Sequence, residues 1–415
     1  MKNFFFLLFL IPTFVFSQGW EKTYGEGVGR SVQQTTDGGY IAFCNSNFHN
    51  IYLLKTNHNG DTLWTKTIGE NDHYFTLCGQ QTIDGGYVIV GWTDPDNALN
   101  DILLIKTDSN GDVLWTKTYG GSNREVGFSV QQTFDEGFVI TGWSDSFSNS
   151  YDVFLIKTDS DGNALWTKTY GDDLMDIGKS IQQTADGGYI IAGESIIWGS
   201  GFSSVYLIKT DINGTALWTK TYGGIDEDAA YSVKQTTDGG YIVTGYTETL
   251  NGTKDVYLIK TDDNGDSLWV KSYGGIYDDM GSSVQQTTDS GYVIAGYTEK
   301  INGTTDVFLL KTDNSGNILW TETYGGVGNN SGMSVQQTTD GGYIITGVYD
   351  DDFVCLIKTD GSGIVSTIEI PAPNPNRKLV KIVDFSGREI SKPEKNQPHI
   401  EIYDDGTTKK KMKLE

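Results

Sequence analysis

A four-residue turn, Asp-Gly-Gly-Tyr, recurs along this chain and restricts the possible folds more than any other feature. It stands at Asp37, Asp84, Asp186, Asp238 and Asp340, with the variants Asp-Glu-Gly-Phe at Asp135 and Asp-Ser-Gly-Tyr at Asp289. Successive copies lie 47, 51, 51, 52, 51 and 51 residues apart. A second landmark, Lys-Thr-Asp, follows each turn: Lys55 (with Asn57 in place of Asp), Lys106, Lys157, Lys209, Lys260, Lys311 and Lys358. Tryptophan comes next at Trp64, Trp115, Trp166, Trp218, Trp269 and Trp320. A repeat of this length is one supersecondary unit that buries its apolar surface only against its neighbours, which points to a propeller or another repeat array.

Residues 232–275 show the unit at its clearest. Its apolar and β-branched runs, such as Tyr241-Ile242-Val243-Thr244-Gly245 and Val256-Tyr257-Leu258-Ile259, have the strand period of two. Asp238-Gly239-Gly240 and Asp262-Asp263-Asn264-Gly265 supply the positive φ angles of tight hairpins. Each unit reads as four antiparallel strands: a Ser-Val-Gln-Gln strand, a Gly-Tyr-Ile strand, the strand ending in Lys-Thr-Asp, and the Leu-Trp strand. Several runs are apolar at nearly every position, as suits sheets packed on both faces. The fold class is all-β: a seven-bladed propeller of four-stranded antiparallel blades. The seventh unit lacks a Leu-Trp strand, whereas residues 19–25, Gly-Trp-Glu-Lys-Thr-Tyr-Gly, supply one. The N-terminal strand is therefore expected to complete the last blade; a rival is a local strand at 364–370.

The strand order resembles that of WD-repeat propellers, and Lys-Thr-Asp-x-x-Gly-x-x-Leu-Trp is similar to the tryptophan-docking repeat of quinoprotein propellers. These resemblances imply a fold and carry no function with them.

Both ends of the chain read as export devices. Lys2 precedes an apolar run from Phe4 to Phe16 and a small-residue cleavage pattern at Val15-Phe16-Ser17, giving a signal peptide at 1–17. The propeller spans 18–370, and 371–415 is a linker and tail. No other run is apolar enough to span a membrane. The tail has a Pro-rich linker at 371–375, short strands at 379–384, 400–403 and 410–414, and turns at Ser386-Gly387 and Asp405-Gly406. It resembles the C-terminal sorting domain of Bacteroidota type IX secretion cargo. The matching residues are Pro373, Asn374 and Pro375, the Val383-Asp384-x-x-Gly387-Arg388 motif and the Lys-rich last strand. The resemblance implies the type IX machinery as a partner, and secretion or display on the outer cell surface by way of the periplasm. Asp61-Thr62-Leu63 and Asp266-Ser267-Leu268 also resemble Bacteroidota O-glycosylation sites.

Charge narrows the partners. Setting aside Lys2 and the ten basic and seven acidic residues of 376–415, 19 basic residues stand against 47 acidic ones. Nucleic acid is thereby disfavoured, since its binding needs clustered Lys and Arg. The three cysteines, Cys44, Cys78 and Cys355, read as free thiols at small-residue positions, with a Cys44–Cys78 bridge as the alternative.

Acidic residues recur at two further places. Glu125, Asp176, Asp228 and Asp279, with Asn330 in the last unit, stand four residues before the Ser of the innermost strand. Asp101, Asp152, Asp255 and Asp306 open the third strand. Both sets fall on one face, where they either hold Ca²⁺ or cap their own turns. The expected cofactor is none, with Ca²⁺ as the alternative. Asp108 to Asp112 and Asp262 to Asp266 echo the start of a calcium loop without its closing Glu, and a hairpin turn accounts for them.

On that face Trp92, Trp143, Tyr246 and Tyr297 form an aromatic set suited to sugars or to packing between blades. Trp198 and Phe202 mark an apolar loop at 194–204 that hints at a contact surface. The Gln pairs of the innermost strands are expected to bond across blades or line the channel, with Lys234 breaking the series. Enzyme signatures are thin. Arg30 and Arg124 are too few for the arginine trio of a sialidase-type propeller, no adjacent Cys pair exists, the histidines are scattered, and no Gly-x-Ser-x-Gly elbow occurs. The leading expectation is a monomeric, non-catalytic propeller binding glycan or protein on its acidic face. A carboxylate-pair hydrolase or lyase and a purely structural adhesion protein are the alternatives.

Overall fold

The structure, a computed structural model, describes residues 19–46, 50–69, 74–93, 99–147, 150–172, 175–197, 202–224, 226–365, 378–383, 390, 398–403 and 408–412. The chain divides into two units, Met1–Val365 and Ser366–Glu415.

The first unit is all-β: seven four-stranded antiparallel sheets, the blades of a propeller. Blades 1 to 7 open with the innermost strands Val28–Gln34, Tyr74–Gln81, Glu125–Gln132, Met175–Gln183, Asp228–Gln235, Asp279–Gln286 and Ser331–Gln337. Blade 7 takes its outer strand from the other end of the chain. Trp20–Glu26 pairs antiparallel with Phe353–Thr359, with Trp20 opposite Lys358. Trp20–Glu26 thus holds the place considered for a local strand at 364–370, of which residues 366–370 lie outside the described residues.

The apolar core is seven clusters, each between two neighbouring blades. In strand Tyr40–Asn45, Tyr40, Ala42 and Cys44 face blade 7 across Ile344, Val354 and Leu356, while Ile41 and Phe43 face Tyr87, Ile89 and Leu103 of blade 2. Both faces of a blade are thus dry, which is why its middle strands are apolar at successive positions. The three cysteines are free, Cys44 and Cys355 buried and Cys78 partly so.

Tryptophan fastens each blade to the next. Trp64 packs edge-on against Tyr87, Trp115 against Phe138, Trp166 against Tyr189 and Trp269 against Tyr292. Trp20 does the same to Tyr40 across the seam, at 5.8 Å between ring centroids. A tyrosine on the same outer strand donates to a glycine carbonyl of the following blade: Tyr24 to Gly60 and Tyr119 to Gly162, both 2.6 Å. The Trp ring lies so close over that glycine that a Cβ on Gly60 or Gly111 would strike it, and both glycines sit at positive φ. The turn residue is therefore set by the neighbouring blade as well as by its own hairpin.

In the second unit, strands Leu379–Val383, Pro398–Tyr403 and Thr408–Met412 form one antiparallel sheet in that order. The sorting residues Pro373, Asn374, Pro375, Asp384, Gly387 and Arg388 lie outside the described residues. No helix among the described residues is long and apolar enough to cross a membrane.

Candidate functional site

Each Asp-Gly-Gly turn meets the Lys-Thr-Asp lysine of its own blade, a pairing that sequence reading had missed. Lys55 reaches Asp37 at 2.9 Å and Lys260 reaches Asp238 at the same distance, and all seven blades repeat the contact. These lysines are at most 5% exposed. The ammonium also donates to the carbonyl beside it, as Lys55 does to Thr56. Asp37 further accepts from the Thr35 hydroxyl and the Gly39 N–H. Burial alone would raise the Asp37 pKa, but the bond from Lys55, with Thr35 and Gly39, holds it down at about 2. The second glycine of the turn is needed because a Cβ at Gly39 would strike Lys55 and Thr56. The one available signal was the strict co-occurrence of the two landmarks.

On the opposite side, the acids of the loop face are buried. Glu125, Asp176, Asp228 and Asp279 are no more than 6% exposed. They lie in the innermost strands, and each caps its own turn: Asp228 accepts from the Gly224 N–H at 2.7 Å, Asp279 from Gly275 and Glu125 from Gly121 at 3.0 Å. Ser144 also donates to Glu125 at 2.6 Å.

The second acidic set meets the first between blades. A Cβ on Gly120 would strike Asp101 and Glu125, one on Gly171 would strike Asp152 and Asp176, and one on Gly274 would strike Asp255 and Asp279. Burial, then the neighbouring carboxylate, raises the pKa of Asp101 and Asp255. Burial is also the leading cause of the upward shifts of Asp176, Asp228 and Asp279. Blade 7 relieves the repulsion: Asn330 stands at the acidic position and donates to the Thr305 carbonyl at 3.1 Å and to Asp306 at 3.4 Å. The acids gather in twos, and no group of three or more His, Cys, Asp or Glu stands together among the described residues. The Ca²⁺ expectation therefore has two carboxylates per site to draw on. At the calcium-like turns, Asp108 accepts from the backbone of Asn110 and Asp112, and Asp262 from that of Asn264 and Asp266.

The aromatic set is spread over four blades; each member has a contact within its own, and Tyr246 also hydrogen-bonds Ser203 of the preceding blade. Trp92 stacks on Phe75 at 5.0 Å, and Trp143 meets Tyr151 edge-on at 4.5 Å. Tyr246 is buried beside Tyr231, with the Lys254 ammonium 4.2 Å over its ring. Tyr297 donates to Met280. Trp92, Trp143 and Tyr297 keep part of their surface. The expected apolar loop at 194–204 is largely strand: Tyr189–Ile197 and Phe202–Thr210 pair as far as Ile197 opposite Phe202. The β-branched Ile196 and Ile197 extend the ladder where other blades turn. Trp198 lies outside the described residues, and Phe202 is half exposed.

A different apolar feature stands on the same face. Leu250, Ile276, Ile301 and Val327 are 97%, 78%, 86% and 89% exposed. They sit on consecutive loops of blades 5 to 7, two between second and third strands and two between blades. They are spaced singly among polar residues, so sequence reading passed over them.

The innermost strands enclose a central channel of about 400 Å³. Each carries a bulge that turns one extra residue into it, among them Arg30, Phe128, Lys179 and Tyr231. The glutamines both bond across blades and line the channel. Gln33 accepts from the Gln81 N–H at 2.8 Å, Gln80 from Gln132 at 3.0 Å, and Gln336 from Gln34 at 2.6 Å across the seam. The second glutamines Gln34 and Gln286 accept from the turns of the preceding blades, at the Thr339 and Thr237 N–H groups.

No known family profile matches the chain. An uncharacterized WD repeat-containing protein of Acanthamoeba polyphaga mimivirus is 22% identical over 307 residues, covering 61% of this chain and 21% of that protein. The match thus spans about a fifth of that relative's length. Among solved structures, BBS1N in complex with ARL6DN has a TM-score of 0.50 at 9% identity, covering 85% of this chain and 99% of that one. The Neurospora crassa Pan2 WD40 domain has the same TM-score and identity, covering 82% and 96%. These likenesses support a seven-bladed propeller fold of the WD-repeat type.

Proposed function

We propose that this chain is an exported, non-catalytic propeller that docks a protein partner on its loop face. The observation that carries the reading is the row of nearly uncovered aliphatic side chains, Leu250, Ile276, Ile301 and Val327, on adjacent blades. An apolar patch rimmed by polar residues marks a protein contact, and these four stand on consecutive loops of one face. Glu125, Asp176, Asp228 and Asp279, once expected to line that face, are buried in turn caps, whereas these aliphatic loop tips are among its most exposed side chains. The similar BBS1N chain was crystallised in complex with ARL6DN, a protein-bound example of this general fold. A photo-crosslinking residue at Ile301 is expected to give a discrete adduct on producing cells, which Leu250→Asp and Ile276→Asp abolish. The same crosslinker at Leu217 on the outer strand gives none. Equal adducts from both positions would overturn the reading.

A glycan ligand is the second reading, favoured by the partly exposed Trp92 and Trp143 rings. Glycan-array binding lost in Trp92→Ala and Trp143→Ala would put it first. Export by the type IX route rests on the signal segment and the tail motifs. Deleting 371–415 should leave a folded propeller trapped in the periplasm, and unchanged secretion of the truncated chain would refute that route.

A further inference from the structure

We propose that the central channel binds a small tetrahedral oxyanion, phosphate or sulfate, beside Lys234. The channel is the electrostatic exception in this molecule. The propeller is strongly acidic, yet the channel lining holds Arg30, Lys179 and Lys234 and not one carboxylate. Lys179 is neutralised, 2.7 Å from Glu194 and 4.2 Å over the Tyr231 ring. Arg30 and Lys234 have no acid partner among the described residues. The Arg30 Nε is buried and makes no hydrogen bond. Desolvation lowers the pKa of both groups, the mark of cations held without a counter-charge.

The glutamine ring strengthens the case. In six blades the first glutamine turns its carbonyl oxygen to the next blade's backbone N–H. That bond fixes the orientation of the amide and leaves its NH₂ edge free toward the channel. Gln33, Gln80, Gln131, Gln182, Gln285 and Gln336 thereby present donors where their acceptors are already used. Lys234 replaces the seventh glutamine. It cannot accept, so no such bond reaches the Gln286 N–H, the one place where the ring is broken. An anion oxygen beside Lys234 would take the absent acceptor's position and pair the ammonium at once. A lining of cations and amide donors recognises oxyanions through charge-assisted hydrogen bonds, and the volume falls within the range of small-ligand sites.

Isothermal titration of the full chain with inorganic phosphate and with sodium sulfate, at low ionic strength and pH 7, tests this. One saturable site per chain is expected, with a matching rise in Tm that equal ionic strength of sodium chloride does not reproduce. Lys234→Gln restores the residue found in the other six blades, so the variant should fold and close the ring. It should weaken anion binding by about tenfold or more and remove the anion-dependent Tm rise. Absence of saturable binding in the wild type, an equal effect of chloride, or unchanged affinity in Lys234→Gln would each overturn the proposal. Should the variant be unstable, the wild-type chloride control decides alone.

Discussion

On one side of the ring every blade sets an aspartate against a buried lysine; on the other, neighbouring blades set carboxylate against carboxylate. Asp238 and Lys260 are 2.9 Å apart, whereas Asp255 and Asp279 crowd one glycine with no cation between them. The same residue type thus has its pKa lowered on the turn side and raised on the loop side. The difference lies in what the third strand delivers at each of its ends: Lys260 at one, Asp255 at the other. Strand direction alternates within a blade, so the two ends of one strand serve opposite faces.

The largest effect should come from breaking a turn-side pair. Asp238→Ala leaves the Lys260 ammonium buried against one carbonyl, and, because Asp238 itself is more than half exposed, a loss of about 2 kcal/mol is expected in urea unfolding. Adding Lys260→Met should recover most of it, because the stranded charge goes with the lysine. An Asp238→Ala variant as stable as wild type would remove the turn-side half of the comparison.

Loop-side substitution should act in the opposite direction. Asp279→Asn imitates the natural Asn330 of blade 7 and is expected to be neutral or stabilising by about 1 kcal/mol near pH 8. The pH profile separates the two sides. The folded pKa of Asp37, about 2, lies below the ordinary 3.8, so its contribution is present above 3.8 and is lost as pH falls toward 2. Asp101, Asp176, Asp228, Asp255 and Asp279 lie above 3.8, so the folded state holds those protons more tightly than the unfolded chain. Their effect is a stability that falls as pH rises through their folded pKa values. Thermal unfolding should therefore be highest in mild acid, lower at neutrality and lowest below about pH 3. In Asp279→Asn the decline toward neutrality should flatten; an unchanged slope would show that the carboxylate pairs do not govern it.

The smallest effect concerns turn geometry. Glu136 and Ser290 occupy the positive-φ position that glycine fills in the other five turns, at φ of 65° and 67°. Glu136→Gly should stabilise by about 1 kcal/mol, read as a rise in urea midpoint without a change in slope.

The strands, their number and their hairpins were legible because they are local: Asp-Gly turns and alternating runs act within a few residues. Closure by Trp20 was legible too, since the missing Leu-Trp strand of the last unit had one counterpart in the chain. Tertiary structure decided which carboxylates meet a cation and which meet another carboxylate. Asp238 and Asp279 look alike in sequence; one meets Lys260, brought back by the third strand, and the other meets Asp255 from the adjacent blade. It also carried residues 196 and 197 into strand where a loop had been read, and aimed the glutamine amides by bonds between blades. Those outcomes depend on register, burial and the approach of groups far apart in the chain, and no local pattern encodes the dielectric around a side chain.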